Sequence, residues 1–508
     1  MDLLKLQNGS DVRGVALEGV AGESVNLTPE VAGRIARAFA AWLARRDDRP
    51  VEGLRISLGR DPRLSGKALA DGVSRALLPL GVEVWDYGLA STPAMFMSTL
   101  LEEMDGAIMI TASHLPWNRN GMKFFSRSGG LEKSDIREIL EEAGNGETTA
   151  PASRPGQLHH KDFLKEYAAW LVQYIRTAAA DPTDPDHPLR GTRILVDAGN
   201  GSGGFFASQV LEPLGAETTG SLFLDPDGHF PNHAPNPEDP QALEALSAAV
   251  KEHHADLGII FDTDVDRAAL IGRDGSPINR NALIALVAAV VLEKYPATWI
   301  VTDSITSEGL TDFIERQLGG HHHRYRRGYR NVINEAIRLN QEGKECHLAI
   351  ETSGHAAMKE NHWLDDGAYL VSFLLTRMAR LRREGRHLED LIATLQHPAE
   401  EKELRIRILA EDFAGYGNRV LEELKAYAAR KEGWTLVEPN YEGVRVSCDA
   451  RHGDGWFLLR LSLHDPVLPL NLESNHPGGV KVMARALAGF LGQYDRLDAR
   501  SVQDFLKG

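Results

Sequence analysis

A short apolar run at residues 107–110, AIMI, stops abruptly at a polar loop. The loop is rich in Pro, Asn and Gly, so the run should be a buried strand that empties into it. Ser113 lies in this loop, within short reach of His114 and Lys123. Loops held by rigid strands carry the chemistry of many α/β proteins, so we predict Ser113 as a hydroxyl nucleophile. A plain turn, with Ser113 and His114 bonded only to backbone, is the alternative.

A second apolar run, residues 257–261, leads directly into DTDVDR. Its carboxylates, Asp262, Asp264 and Asp266, repel one another. At about 5 Å and an effective dielectric constant of about 20, each pair costs about 3 kcal/mol. A cation must offset this cost, and an all-oxygen ligand set favours a hard ion such as Mg²⁺.

Two known kinds of protein have a similar D-x-D pattern. An EF-hand needs Gly at the sixth position and Glu at the twelfth, where this chain has Arg267 and Arg273. Haloacid-dehalogenase-type phosphatases would use Asp262 as an aspartyl nucleophile, which leaves Asp266 and Arg267 unexplained.

Length and charge narrow the class further. A chain of 508 residues predicts three or four domains. Its net charge of −16 disfavours nucleic acid and acidic membranes as partners. Two cysteines, and no apolar run longer than 11 residues, predict a cytoplasmic protein without membrane spans. A monomer or a homodimer is expected. The run His321 to His323 is predicted as a solvated loop and not a metal site.

The order of predicted elements indicates an α/β protein. Thr28, Pro29 and Glu30 form a helix start, and strand-like runs at residues 54–58 and 82–87 alternate with helical stretches. This alternation predicts parallel crossovers, and it begins again at residues 193–196 after a linker near 145–156.

Several motifs resemble one family. TASH, the following Pro and NG, and Lys123 resemble the active-serine loop of the α-D-phosphohexomutases, the family of phosphoglucomutase and phosphomannomutase. DTDVDR resembles the metal loop D-G-D-x-D-R, with Thr263 in place of glycine. ETSGH resembles the sugar loop G-E-x-S-G-H, with Ile350 in place of the leading glycine. RLSLHDP resembles the phosphate loop R-x-S-G-T-E-P, with Leu463 and His464 replacing glycine and threonine.

The resemblance implies a four-domain α/β fold. The first three domains would share a mixed α/β sheet core with helices on both faces, and the fourth would be a smaller α+β lid. The expected domains are 1–158 with the serine loop, 159–277 with the metal loop, 278–396 with the sugar loop and 397–508 with the phosphate loop.

The resemblance also implies a reaction and a role for each motif. A phosphoserine at Ser113 would exchange its phosphoryl group with hexose 1-phosphate or 6-phosphate through a bisphosphorylated sugar. Mg²⁺ would be the cofactor, and glucose 1,6-bisphosphate or its mannose analogue the activator. The implied catalytic residues are Ser113, His114, Lys123, Arg13 and His355; the metal ligands are Asp262, Asp264, Asp266 and Ser113; the substrate-binding residues are Arg267, Glu351, Ser353, Arg460, Ser462 and His464.

Three alternatives stay open at this point. The substrate could be glucosamine phosphate. The enzyme could be an aspartyl phosphatase or phosphotransferase that uses Asp262. Because Thr263, Leu463 and His464 depart from the family pattern, the chain could also be a sugar-phosphate-binding relative without catalysis.

Overall fold

The computed structural model describes residues 2–146, 150–462 and 465–507. It divides into two compact units, Met1–Val290 with Ser353–Leu391, and Val291–Thr352 with Ile392–Gly508. The elements up to residue 278, all in the first unit, are β1 Gln7–Asn8, β2 Asp11–Val15, α1 Pro29–Arg46, β3 Arg55–Arg60, α2 Gly66–Leu77, β4 Glu83–Leu89, α3 Thr92–Leu101, β5 Gly106–Ile110, β6 Arg119–Ser126, β7 Gly129–Gly130, α4 Lys133–Asn145, β8 Leu158–His160, α5 Phe163–Ala179, β9 Ile194–Asp197, α6 Pro240–Glu252, β10 Leu257–Phe261, β11 Ala268–Gly272 and β12 Pro277–Ile278.

The remaining elements continue in chain order through both units. They are α7 Arg280–Lys294, β13 Trp299–Thr302, α8 Glu308–Asp312, β14 His321–Arg324, α9 Tyr329–Gln341, β15 Cys346–Ile350, β16 Ala356–Met358, α10 Gly367–Arg383, β17 Glu400–Ile408, α11 Phe413–Ala428, β18 Trp434–Leu436, β19 Val444–Cys448, β20 Gly455–Leu459, β21 Val467–Ser474, α12 Gly479–Leu491, β22 Leu497–Asp498 and α13 Arg500–Lys507. Short 3₁₀ or π turns lie at Leu3–Leu6, Leu78–Leu80, Phe206–Leu211, Glu212–Leu214, Phe313–Gln317, Lys359–Asn361 and Leu388–Ile392.

Two mixed sheets organise the first unit. The larger sheet has the order β1-β2-β6-β5-β3-β4-β8, with β7 paired to β6. Its centre is parallel, because β3 pairs with both β4 and β5 in parallel, whereas β5 and β6 are antiparallel. The second sheet has the order β12-β11-β10-β9. Strands β5 and β10 are buried along their whole length, so the loops that follow them start from rigid positions.

Local sequence explains where the first long helix begins. The Thr28 hydroxyl accepts a hydrogen bond from the Val31 N–H, Pro29 occupies the first helical position, and Glu30 lies in the first turn. This is the helix start predicted from the sequence. The apolar face of α1 packs with α2, α4 and the larger sheet into one core.

The second unit contains a parallel and an antiparallel sheet. Strands β14, β13 and β15 pair in parallel. The C-terminal sheet runs β18-β19-β20-β21-β17-β22 and shares a core with α11 and α12. The predicted α/β fold class, with three α/β segments and a smaller α+β segment, is confirmed. The four domain boundaries stay a prediction.

The prediction for the histidine run was wrong. Residues His321–Arg324 form strand β14, and His322 is held by the hydroxyls of Thr302 and Thr311, both 2.8 Å from its ring nitrogens. Burial lowers the pKa of His322 well below its usual value. The glycines and polar residues of this segment indicated a loop, but its pairing with β13 makes it a strand.

Within the three described ranges, every helix is too short or too polar to cross a bilayer. The predicted cytoplasmic location and the monomeric or homodimeric state stay predictions.

Candidate active site

The serine loop, residues 113–119, joins the ends of β5 and β6. Ser113 has a φ of +49°, in the left-handed region that residues other than glycine seldom adopt. The Thr111 hydroxyl accepts the Ser113 N–H at 2.9 Å and fixes this turn. A strained residue at a strand end is typical of functional sites.

The aspartate loop, residues 262–267, connects β10 to its antiparallel neighbour β11. Phe261 and Ala268 are the last paired residues, so the six loop residues make the turn between these strands. Val265 has a φ of +67° and is fully buried. The backbone therefore turns sharply at Val265, between Asp264 and Asp266.

The two loops meet inside the first unit, although Ser113 and Asp262 are 149 positions apart in the chain. The Ser113 hydroxyl donates to Oδ2 of Asp262 at 2.9 Å. The Arg267 guanidinium donates to Ser113 Oγ at 3.3 Å and to His114 Nδ1 at 2.8 Å. A hydroxyl, a carboxylate and a guanidinium thus share one buried site, and the imidazole of the exposed His114 lies at its edge.

The residues present fit a divalent cation. One oxygen from each of Asp262, Asp264 and Asp266 lies within 4.8 Å of the others. Oδ1 of Asp264 and Oδ1 of Asp266 are buried without a hydrogen-bond partner among the described residues. Burial and the neighbouring carboxylates raise the pKa of Asp262 well above its usual value. A site of crowded carboxylates with orphaned acceptors is suited to a hard metal ion.

Lys123 is more closely engaged with the aspartates than the sequence indicated. It lies on β6, and its ammonium forms ion pairs with Asp264 at 3.1 Å and, more closely, with Asp266. Burial disfavours its charge, but the two carboxylates prevail and raise its pKa. Lys123 therefore supplies part of the positive charge that the aspartates require.

His114 is an exposed residue whose ring nitrogen reaches the buried groups. Partial burial of the ring, followed by the charges of Arg267 and Arg13, lowers its pKa to about 3 and favours the neutral form. Since a guanidinium can only donate, the contact with Arg267 fixes His114 Nδ1 as an acceptor.

Arg13 lies on β2 and holds the chain just before the serine. Its guanidinium donates to the backbone carbonyl of Thr111 and, at 2.8 Å, to Asp11. It therefore contributes positive charge close to Ser113.

Sequence reasoning missed Asp365. This buried carboxylate accepts a hydrogen bond from Nδ1 of His355, and it accepts the backbone N–H of Ala356 at 3.0 Å. Burial opposes protonation of His355, but Asp365 and Asp266 raise its pKa to about 9. The acidic pair before helix α10 in the sequence could have revealed it.

The second unit holds Glu351 of the predicted sugar loop. Its carboxylate accepts the Gly328 N–H at 2.6 Å. The adjacent Thr352 bonds through its N–H and hydroxyl to Asp303, which also pairs with Arg327 at 3.3 Å. This network fixes the carboxyl end of β15.

Other predicted substrate residues have distinct surroundings. Ser353, in the first unit, is buried, and its hydroxyl has no hydrogen-bond partner within the described ranges. Arg460, at the end of β20, has its guanidinium 3.9 Å from the Glu442 carboxylate. The Ser462 hydroxyl accepts the Asp465 N–H at 3.3 Å. His464, like Leu463, lies outside the described residues.

Fold and site together define an α/β enzyme in which a serine hydroxyl adjoins a cluster of three carboxylates that could hold a metal ion. Comparison with protein families gives three matches. Residues 5–150, 172–275 and 279–398 match phosphoglucomutase/phosphomannomutase, alpha/beta/alpha domains I, II and III respectively.

Comparisons with individual proteins point to the same family. A phosphoglucomutase of Neisseria gonorrhoeae is 31% identical over 92% of this chain and 93% of its own length. A phosphomannomutase/phosphoglucomutase of Pseudomonas putida is 31% identical over 91% of each chain. The crystal structure of a phosphoglucomutase/phosphomannomutase family protein from Burkholderia thailandensis is 27% identical, with a TM-score of 0.78 over 97% of this chain and 98% of that one.

The chain belongs to the phosphoglucomutase/phosphomannomutase family. It is therefore an enzyme of the isomerase class, with hexose-phosphate mutase activity.

Proposed function

We propose that this enzyme interconverts the 1-phosphate and 6-phosphate of glucose, mannose or both, through a phosphoserine at Ser113 and a bisphosphorylated sugar. The observation that carries the proposal is the 2.9 Å hydrogen bond from the Ser113 hydroxyl to Asp262, at the edge of the aspartate cluster. This bond points the hydroxyl proton at a carboxylate, and the same oxygen lies beside the Arg267 guanidinium.

Charge is what phosphoryl transfer requires most from a protein. A phosphoserine adds about −1.5 to −2 charges. Arg267 and Arg13 supply positive charge on the side of the serine, and Lys123 balances Asp264 and Asp266. Mg²⁺ held by the three aspartates would act as a Lewis acid on the transferring group.

We assign proton transfer to His114, Asp262 and His355. Neutral His114 and Asp262 are acceptors close to the hydroxyl. His355, held by Asp365, retains a proton near neutral pH and is the proposed donor to the leaving sugar oxygen.

The sugar and its second phosphate require further contacts. We assign Glu351 and Ser353 to the sugar hydroxyls, and Arg460 and Ser462 to the phosphate that is not reacting. The unpartnered Ser353 hydroxyl supports its assignment. If these residues contact only the hydroxyls that glucose and mannose share, the site would not distinguish the two sugars by their configuration at C2. Glucose 1,6-bisphosphate would act as activator by phosphorylating Ser113.

A coupled mutase assay tests the proposal. Glucose 1-phosphate, mannose 1-phosphate and glucosamine 1-phosphate are supplied separately, with Mg²⁺, with and without glucose 1,6-bisphosphate. We expect turnover of glucose 1-phosphate, mannose 1-phosphate or both, with stimulation by the bisphosphate. Turnover of glucosamine 1-phosphate alone would contradict the sugar assignment. Binding without exchange of label between the two phosphate positions would indicate a non-catalytic relative.

An aspartyl nucleophile at position 262 is less well supported. The Asp262 carboxylate already accepts hydrogen bonds from Ser113 Oγ and from the backbone and side chain of Arg267. A carboxylate held by three donors is a poorer nucleophile than the hydroxyl it orients.

A further inference from the structure

The motif GRDPRLSG, residues 59–66, connects β3 to α2 and has no role in the function proposed above. Its Arg63 is fully buried: the side chain is 0% exposed, and so is that of its partner Asp61. Removing a guanidinium from water is costly unless every donor finds an acceptor. The position of those acceptors therefore indicates what the arginine does.

All five N–H groups of Arg63 have acceptors, and four of these are backbone carbonyls of the serine loop. Nε donates to Asp61 Oδ2 at 3.2 Å. The other contacts are Nη1 to Pro116 O at 2.8 Å, Nη1 to Arg119 O at 3.1 Å, Nη2 to Leu115 O at 2.6 Å and Nη2 to Ser113 O.

Arg63 itself is held in place independently of the loop. Asp61 Oδ1 accepts the Arg63 N–H at 3.0 Å, and the Asp61 N–H donates to the carbonyl of Ile110 at 3.0 Å, at the end of buried strand β5. The ring of Phe230 lies 5.2 Å from the guanidinium carbon. The plane of the guanidinium is thus oriented by contacts outside the serine loop.

We propose that Arg63 is a positioning residue that holds the serine loop, and with it the Ser113 hydroxyl, in the geometry required for phosphoryl transfer. It acts through the Ser113 carbonyl and has no part in binding the substrate. Four carbonyls that converge on one guanidinium fix the direction of the peptide groups around a residue with a φ of +49°, which relaxes when they are released. Lysine has the charge but lacks the planar fork.

The proposal rests on the proposed role of Ser113, and kinetics of Arg63→Lys test it. A misplacement of about 1 Å at a reacting atom costs roughly 100-fold in rate, so we expect kcat to fall by about that factor. The KM for sugar 1-phosphate should stay within about threefold, because the substrate contacts are intact. The matched control is Arg60→Lys in the same motif. Arg60 is partly exposed, and its ion pair with Asp86 is long, at 3.7 Å. This substitution should leave kcat unchanged.

Chemical rescue and amide exchange separate positioning from a general structural role. Guanidinium ion at millimolar concentration should restore part of the kcat of Arg63→Ala and leave Arg60→Ala unaffected. In Arg63→Lys, hydrogen exchange should accelerate for the amides of residues 112–119 and stay at the wild-type rate in Gly106–Ile110. If Arg63→Lys does not fold, Asp61→Asn, which loosens the Nε anchor, should show the same pattern more weakly.

The outcomes distinguish the proposed mutase function from the proposed positioning role of Arg63. A wild-type enzyme without mutase activity would overturn the proposed function, while the exchange arm would still test whether Arg63 holds the loop. An active wild type with unchanged kcat and unchanged loop exchange in Arg63→Lys would overturn the positioning role. So would exchange that accelerates uniformly in β5 and the loop without guanidinium rescue, because that indicates loss of stability alone.

Discussion

The serine loop and the aspartate loop lie side by side, and they differ in how completely their polar groups are satisfied. Arg63 and Thr111 account for the main backbone groups around Ser113. In contrast, Asp264 and Asp266 each keep a buried oxygen without a hydrogen-bond partner in the described part of the chain. The first loop is preorganised by the protein, whereas the proposed Mg²⁺ would complete the second. Mutations should therefore affect position in the first loop and metal affinity in the second.

The largest effect should come from Ser113→Ala. Removing a nucleophile costs on the order of 10⁴-fold or more in kcat, and metal affinity should stay nearly unchanged because the three aspartates remain. Ser126→Ala is the control, since Ser126 is also buried on the same sheet but bonds to Arg46. Mutase kinetics and calorimetric Mg²⁺ titration measure both quantities. A Ser113→Ala enzyme that keeps its activity would contradict the account.

Next in size is Asp264→Asn. Loss of one anionic ligand should weaken Mg²⁺ binding by about 100-fold or more and lower kcat at fixed metal concentration. Serine-loop amide exchange should not change. Asp274→Asn, in an exposed turn beyond β11, is the matched control. Equal Mg²⁺ affinity in the two variants would show that the aspartates do not bind the metal.

Asp365→Asn should have a smaller effect, on the order of tenfold to 100-fold in kcat. The negative charge of Asp365 helps to raise the pKa of His355 to about 9. Its removal lowers that pKa, so the limb of the pH–rate profile that reports His355 should move to lower pH. Asp390→Asn, on an exposed turn, serves as control. An unmoved limb would exclude His355 as the titrating group.

The smallest effect should come from Thr92→Val. The Thr92 hydroxyl donates to Asp264 Oδ2, and the loss of one such bond is worth about 1 kcal/mol, or about fivefold in Mg²⁺ affinity. Thr99→Val on the same helix removes a hydroxyl that bonds to Phe96 O, away from the aspartates, so the metal affinity should not change. If both variants bind Mg²⁺ like the wild type, Thr92 does not orient the ligand.

The residues that meet at the candidate site could be predicted from the sequence because they occur in short contiguous motifs. Ser113 and the aspartates follow buried strands, and that pattern is local. The residues that support them could not be predicted in this way. Arg63 is 50 positions from Ser113, and Thr92 is 172 from Asp264, so only the fold brings them together. The same limit explains His322, whose strand depends on its pairing with β13.

The most direct test of the central claim is to map the phosphoryl group on the enzyme. The protein is incubated with Mg²⁺ and glucose 1,6-bisphosphate labelled in both phosphates, then digested and analysed by mass spectrometry. The account predicts label on the Ser113 peptide, stable to hydroxylamine, lost in Ser113→Ala and strongly reduced in Asp264→Asn. Hydroxylamine-sensitive label on the Asp262 peptide, or serine labelling indifferent to the Asp264 substitution, would contradict it.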